Sequence, residues 1–322
     1  MPTLQSPLNS GFNAASTASD VIRGIDLSGK TIVVTGGYSG IGLETTRVLH
    51  QAGATVIVPV RTPEKARRNL DGLDVELLPL DLLDPASIDA FAAEFLRRHD
   101  TLDTLINSAG VMMLPDLERD GRGYEVQFSA NHLGHFQLTA RLWPALKAAE
   151  GARVIAVSSR GHRIAGVDFD DPNYQHRPYE KRNAYGQSKT ANALFAVGLD
   201  ARGQADGVRA FSLHPGAIPT ELSRHLTDED LSGWKLTRNA DGSYHAEDPS
   251  LFKTVPQGAA TSVWCATSPL LEGQGGVYCE DCDIASPAVE GNMSRGVAAY
   301  AVDPEAAERL WTLSEQLTGV TL

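Results

Sequence analysis

Short, nearly unbroken apolar runs recur along the chain. Each is followed by a longer stretch with apolar residues three or four apart. The runs read as strands: "KTIVVTG" (30–36), "ATVIVPV" (54–60), "VELLPL" (75–80), "LDTLINSAG" (102–110), "ARVIAVSS" (152–159), "VRAFSLHPG" (208–216) and a short one at 276–279. They are rich in β-branched residues and end on glycines or turn formers. The periodic stretches read as helices over 41–53, 63–70, 84–99, 123–148, 183–202, 256–267 and 304–318, with a short one at 17–23. Gly53 stops the first long helix and Pro63 opens the next. Asp84 caps the third, with Pro85 in its first turn.

Strands that are apolar throughout have both faces buried, and their alternation with helices predicts a parallel sheet covered on both sides. Right-handed crossovers then make one doubly wound, Rossmann-type α/β domain. Residues 1–28, rich in Ser, Asn, Ala and Gly, read as an irregular arm before a domain spanning 29–322. The excess length lies in three excursions, this arm, 160–182 and 221–255, and excursions of that length tend to carry function.

Composition narrows the function. The 322 residues are 42% hydrophobic, enough for a sizeable core. A formal net charge of −12 argues against nucleic acid and against anionic lipid surfaces, because both would repel the chain. No run approaches the ~20 apolar residues of a membrane helix, and the first residues lack the basic and apolar regions of a secretory leader. Three sparse cysteines, Cys265, Cys279 and Cys282, fit a reducing compartment and structural roles, despite the Cys-x-x-Cys spacing of the last two. The expectation is a cytoplasmic protein without a metal. His132 and His135, three apart with no third ligand evident, are expected to pack in the core.

The segment "TGGYSGIG" (35–42) lies between the first strand and the first long helix. Gly36, Gly37, Gly40 and Gly42 permit a tight turn and close approach by a phosphate, and the helix N-terminus behind them favours an anion. In this position the turn predicts a dinucleotide site, with Tyr38, Ser39 and Ile41 as further contacts. At the end of the second strand, an acidic residue would pair with a ribose 2′-hydroxyl. The residue there is Arg61, nineteen past Gly42. A guanidinium suits a 2′-phosphate, so NADP(H) is favoured over NAD(H). Asp81, followed by Leu82, ends the third strand and could accept from an adenine amino group or simply cap a turn.

Ligands of a doubly wound sheet bind beyond the carboxyl ends of its strands. Asn107 ends the fourth strand, Ser158 and Ser159 end the fifth, and Asn131 lies on the helix between them. Tyr185 and Lys189 sit one turn apart on one face of the next helix. "TGGYSGIG", "NSAG", "NHLGHF", "VSS", "YGQSK" and "HPG" occur in the order found in short-chain dehydrogenases/reductases, and over about 29–220 the chain resembles that family. "NHLGHFQLT" and "SKTANALF" resemble its retinol dehydrogenase and WW-domain oxidoreductase branch, although neither the anchor of the former nor the WW domains of the latter is read here.

The resemblance implies an oxidoreductase with Tyr185 as general acid and base. Lys189 would lower the phenol pKa and bind the nicotinamide ribose, since a free phenol at about 10 is a poor base near neutrality. Ser159 rather than Ser158 would donate to the substrate oxygen, and Asn131 would hold a water relay to Lys189. Asn107, Ala109 and Gly110, then Pro215, Gly216, Ile218 and Thr220, would contact the cofactor, and Ser188 would face a packing neighbour. The gap of 26 residues from Ser159 to Tyr185 makes 160–182 a pocket wall, as in the branch resembled.

The large apolar residues of 221–255, among them Leu222, Trp234 and Phe252, either cover a lipophilic or aromatic carbonyl or alcohol as a lid or dock that loop onto the core. No G-x-S-x-G is present, which removes the main hydrolase reading. The alternative function is a non-catalytic nicotinamide-dinucleotide-binding redox sensor acting through a partner protein. Family members often pair through the two long helices, but the branch resembled is less uniform, so the resemblance allows a homo-oligomer and leaves the oligomeric state open.

Overall fold

The structure is a computed structural model and describes residues 3–289, 291 and 295–322; the first two residues of the arm and residues 290 and 292–294 of the domain lie outside the described residues. After a short helix, α1 (Ala18–Val21), the chain alternates as β1 (Thr31–Val34), α2 (Gly40–Gln51), β2 (Thr55–Val60), α3 (Pro63–Asn69), β3 (Glu76–Pro79), α4 (Pro85–Arg98) and β4 (Thr104–Asn107). The helix expected over 123–148 runs in pieces: α5 (Val126–Phe128), a π turn (Ser129–Leu133), α6 (Gly134–Arg141) and α7 (Trp143–Ala148). Pro144 lacks an N–H and restarts the helix in α7. Then come β5 (Arg153–Val157), α8 (Lys181–Gly203), β6 (Arg209–His214), α9 (Asp228–Gly233), β7 (Leu236–Arg238), β8 (Tyr244–Ala246), α10 (Val255–Thr267), β9 (Val277–Glu280), β10 (Asp283–Ile284) and α11 (Pro304–Thr318).

Eight strands form one sheet in the order β3-β2-β1-β4-β5-β6-β9-β10, and β7 and β8 form a separate antiparallel hairpin. Successive side chains on a strand face opposite ways. Ile32 and Val34 therefore join Leu49 of α2 and Trp264 of α10 in one core, and Val33 joins Phe95 of α4, Phe136 of α6 and Phe195 of α8 in the other. This is why the strands are apolar throughout.

One edge departs from the all-parallel expectation, because β10 pairs antiparallel with β9. Asp281 and Cys282 turn the chain there with φ of 52° and 61°, the left-handed geometry of a tight hairpin. The Cys-x-x-Cys spacing is thus a hairpin feature, and all three cysteines are free and buried. The arm lies against this edge. Gln5 donates to the carbonyls of Tyr278 and Ala285 at 2.8 and 2.7 Å and accepts from Tyr278 N at 2.9 Å, which shields an otherwise exposed strand edge.

Candidate active site

The neighbours of β1 are β2 on one side and β4 on the other, so the chain reverses direction across the sheet at this point. A cleft of about 820 Å³ opens beyond the carboxyl ends of these strands. Gly36 and Gly40 adopt φ of +67° and +52° at its base. A Cβ on Gly36 would lie 3.0 Å from Ala109 Cα, and one on Gly42 would lie 2.4 Å from Gly36 O, so only glycine fits this turn. Ser39 caps α2 without a side-chain hydrogen bond, which leaves the N–H groups of that long helix facing the cleft. The cradle fits a pyrophosphate.

Of the residues expected to hold a cofactor, Gly36, Tyr38, Ser39, Gly40, Ile41, Gly42, Arg61, Asp81, Leu82, Ala109, Gly110, Tyr185, Lys189, Pro215, Gly216, Ile218 and Thr220 all line this cleft. The exception is Asn107. It is buried, and its side chain reaches across to Thr139 Oγ1 at 3.4 Å instead of entering the cleft. The strand ends there, and the three residues after it form the cleft wall. Asp81 Oδ1 accepts from Leu83 N at 3.0 Å, so its turn-forming role is real, and it also faces the cleft. Lys65, one turn into α3, was not singled out from the sequence, yet it lines the cleft with Arg61 and pairs with Glu221.

Tyr185, Lys189 and Ser159 meet at the mouth of β5. Lys189 Nζ donates to Val157 O at 2.9 Å and lies 5.7 Å from the centroid of the Tyr185 ring. Two of its three N–H groups remain for other partners. Its pKa is lowered to about 8 because burial disfavours the cation. Burial likewise raises the Tyr185 phenol to about 12, opposed only by the nearby Ser159 hydroxyl. The expected depression of the phenol pKa by Lys189 is therefore not found in the protein by itself. In this water-poor pocket desolvation outweighs the cation, whose hydrogen bond goes to Val157.

Asn131 sits in the π turn, where the helix widens by one residue. Its Oδ1 accepts from Val111 N at 2.8 Å, and its Nδ2 donates to Val111 O at 3.0 Å and to Ser188 Oγ at 2.9 Å. Ser188 in turn donates to Tyr185 O at 2.8 Å, so it is a polar link between Asn131 and the Tyr185 turn, not a mere packing neighbour. Gly110 lets this cluster close up: a Cβ there would lie 2.9 Å from Asn131 Oδ1. The two serines separate cleanly. Ser158 Oγ is spent on Lys189 O at 2.6 Å, whereas Ser159 Oγ accepts from Gly161 N at 3.0 Å and keeps its own proton free to donate. His132 and His135 are buried, with pKa values lowered to about 3 and 4 mainly by desolvation, as core histidines should be.

Residues 221–255 fold over the cleft as a short helical turn, α9 and the β7–β8 hairpin. Leu226, Leu231 and Leu236 are buried in a cluster with Met112, Met113 and Tyr185, so much of the segment's apolar surface docks it in place. Leu222 and Trp234 face the cleft beside Met112, Met113 and Ile164. Asp230 accepts from Lys181 and from Arg182 at 3.3 Å, tying α9 to the start of the helix that carries Tyr185.

A glycine turn at the switch point of a doubly wound sheet, with a phenol and an ammonium at the cleft mouth, is the layout of a nicotinamide-dependent oxidoreductase. The chain belongs to the short-chain dehydrogenase family: residues 30–231 match the family model described as short chain dehydrogenase. It is 43% identical over 294 residues to a probable oxidoreductase of Streptomyces lividans, covering 89% of this chain and 97% of that one. It is 38% identical over 303 residues to retinol dehydrogenase 12 of Mus musculus, covering 92% and 88%. A solved structure of an uncharacterised protein from Mycobacterium Paratuberculosis matches with a TM-score of 0.70 at 31% identity, covering 96% and 98% of the two chains. Family membership implies a nicotinamide cofactor and a small-molecule substrate. Among the described residues no helix is long and apolar enough to cross a membrane.

Proposed function

We propose that the protein is a cytoplasmic NADP(H)-dependent oxidoreductase acting on a carbonyl/alcohol pair of a lipophilic or aromatic small molecule. When bound, the nicotinamide supplies or accepts the hydride. The observation that carries the reading is the convergence of Tyr185, Ser159 and Lys189 on one cleft that the apolar side chains of Met112, Leu222 and Trp234 also line. Tyr185 gives its phenolic proton to the substrate oxygen in reduction and takes it back in oxidation. Its raised pKa keeps that proton in place at neutral pH, which suits an acid. The Ser159 hydroxyl donates to the same oxygen as charge develops on it. Lys189 holds the ribose with its remaining N–H groups and favours the phenolate as the proton leaves.

The turn from Gly36 to Gly42 would hold the pyrophosphate. Arg61, with Lys65 beside it, would hold a 2′-phosphate. In this reading residues 29–322 are one catalytic domain, with 160–182 as its pocket wall and 221–255 as its substrate lid.

The test is a screen of lipophilic ketones and aldehydes with NADPH and with NADH, followed by absorbance at the reduced-nicotinamide band. Turnover by the wild type and its loss in Tyr185→Phe, with NADPH affinity kept, support the reading. Normal turnover in that variant sinks the mechanism. NADPH binding with no turnover of any carbonyl leaves only a nucleotide-sensing role.

A further inference from the structure

The turn that follows Ser159 depends on a histidine that takes no part in the chemistry above. We propose that His162 is a positioning residue: it holds the Ser159 hydroxyl and the Tyr185 ring through one imidazole tautomer that the C-terminal segment selects. The proposal rests on the oxidoreductase reading.

His162 is 1% exposed and lies in the 3-10 turn Arg160–Arg163, which Ser159 caps. Its ring bridges two distant parts of the chain. Nε2 lies 3.1 Å from Ala298 N. A backbone N–H can only donate, so Nε2 must present its lone pair, and in the neutral ring the proton is on Nδ1. Nδ1 lies 2.7 Å from Ser159 O and 3.2 Å from the Tyr278 hydroxyl, both of which can accept. The backbone N–H of His162 donates to the same Ser159 carbonyl at 3.0 Å. Burial lowers the imidazole pKa to about 4, so the ring is neutral under working conditions.

The consequences reach both proposed proton donors. With its carbonyl held twice, Ser159 keeps the rotamer in which Oγ accepts from Gly161 N, and its hydroxyl proton is left for the cleft. Gly161 packs directly against the phenol ring: a Cβ there would lie 2.9 Å from Tyr185 Cε1. The carbonyl of His162 is fixed as well, by Thr190 Oγ1 of α8 at 3.0 Å and by the Tyr300 hydroxyl at 2.7 Å. One turn therefore sets the distance between two donors that must reach a single oxygen, and displacements near 1 Å are expensive for such geometry.

Two substitutions divide the ring's two bonds. In His162→Asn the amide can occupy the Nδ1 position and still donate to Ser159 O, but it loses Ala298. In His162→Gln the amide oxygen can still accept from Ala298 N, but it loses Ser159. The expected result is a kcat within about threefold of wild type for the Asn variant and roughly 10- to 100-fold lower for the Gln variant, with KM for NADPH unchanged in both. Both should lose thermal stability, so the split in kcat is what a purely structural role would not produce. Equal kcat losses, or a wild-type rate in His162→Gln, overturn the proposal.

Selective 15N-histidine labelling of the wild type reads the tautomer without any variant having to fold. A proton on Nδ1 is expected, and a proton on Nε2 overturns the arrangement. Should the wild type reduce no carbonyl at all, the oxidoreductase reading fails and the positioning role goes with it, an outcome distinct from an active wild type with indifferent variants.

Discussion

Thr35 Oγ1 lies 2.9 Å from His135 Nε2, and that bond joins the glycine turn to α6, just after the π turn holding Asn131. His135 Nδ1 faces Asn131 O at 3.0 Å, so Nδ1 carries the ring proton and Nε2 accepts from the threonine hydroxyl. The same Thr35 oxygen accepts from Ser108 N at 2.9 Å and Ala109 N at 3.0 Å, the start of the cleft wall after β4. Thr35→Val would keep the shape but leave His135 Nε2 without a donor and Ala109 N without this acceptor, while Ser108 N keeps Ile106 O at 3.1 Å. It should cost about 1–3 kcal/mol, because a buried polar group left without its partner pays its desolvation. Urea unfolding reads the loss, and Thr35→Ser should restore most of it.

Lys189 is a stability liability. Its pKa of about 8 lies below the ordinary lysine value of 10.5, so between those values the unfolded chain binds more protons than the folded one. Stability attributable to this group therefore rises as pH climbs from about 8 towards 10.5, and below pH 8 the penalty is complete. Lys189→Met removes it. Val157 O keeps a partner, because Asn192 Nδ2 also donates to it at 3.0 Å. The variant should be more stable than wild type at pH 7 by about 1–3 kcal/mol and close to wild type near pH 11, while turnover is lost. A less stable Lys189→Met at neutral pH would contradict the burial argument.

The sequence pattern reached the strands, the long helices and the residues of the cleft, because buried parallel strands and a glycine turn leave local marks. It missed what depends on distant partners. Thr35 and His162 look ordinary in sequence, and their bonds run to residues 100 and 136 positions away. The β7–β8 hairpin has strands too short to show a period. Asn107 was placed in the cleft from its position at a strand end, but the side chain of that last residue faces the helices, and the wall begins one residue later. Lys65 was within reach: a cation on the first turn after Arg61 faces the same rim.

Asp230 supplies the ionic part of the hold on residues 221–255, beside their buried leucines. Burial pushes its carboxyl pKa up, but hydrogen bonds from Lys181, Thr227 and Arg182 overcome that and place it below the ordinary carboxylate value. The sign is that of a depressed acid: the stabilisation is full above the ordinary range near pH 4 and is lost only as pH falls through the lower folded value. Asp230→Asn should loosen α9 and the hairpin without touching the cofactor cradle. Limited proteolysis is expected to cut within 221–255 several-fold faster, and KM for an apolar carbonyl should rise while NADPH affinity stays the same. Unchanged cleavage and KM would show that the buried leucines hold the segment unaided.

We predict a monomer, in contrast to family members that pair through their two long helices. Pairing through α6 and α8 needs their outer faces free, and here α11 lies across both. The Trp311 ring stacks on Phe195 of α8 with centroids 6.1 Å apart and planes 1° from parallel, and meets Phe136 of α6 edge-on at 4.9 Å. Ser314 Oγ lies 2.7 Å from His132 Nε2 in the buried π turn. An element of the same chain thus occupies the surface a second copy would use, and Trp311 is 3% exposed in it. Light scattering after size exclusion should give the monomer mass of 34.5 kDa. Trp311→Ala removes the largest side chain of this seam and should cost about 3–5 kcal/mol. By loosening α11 it should also favour larger species. A wild type at twice the monomer mass, with the same mass in Trp311→Ala, would place the pairing on another face.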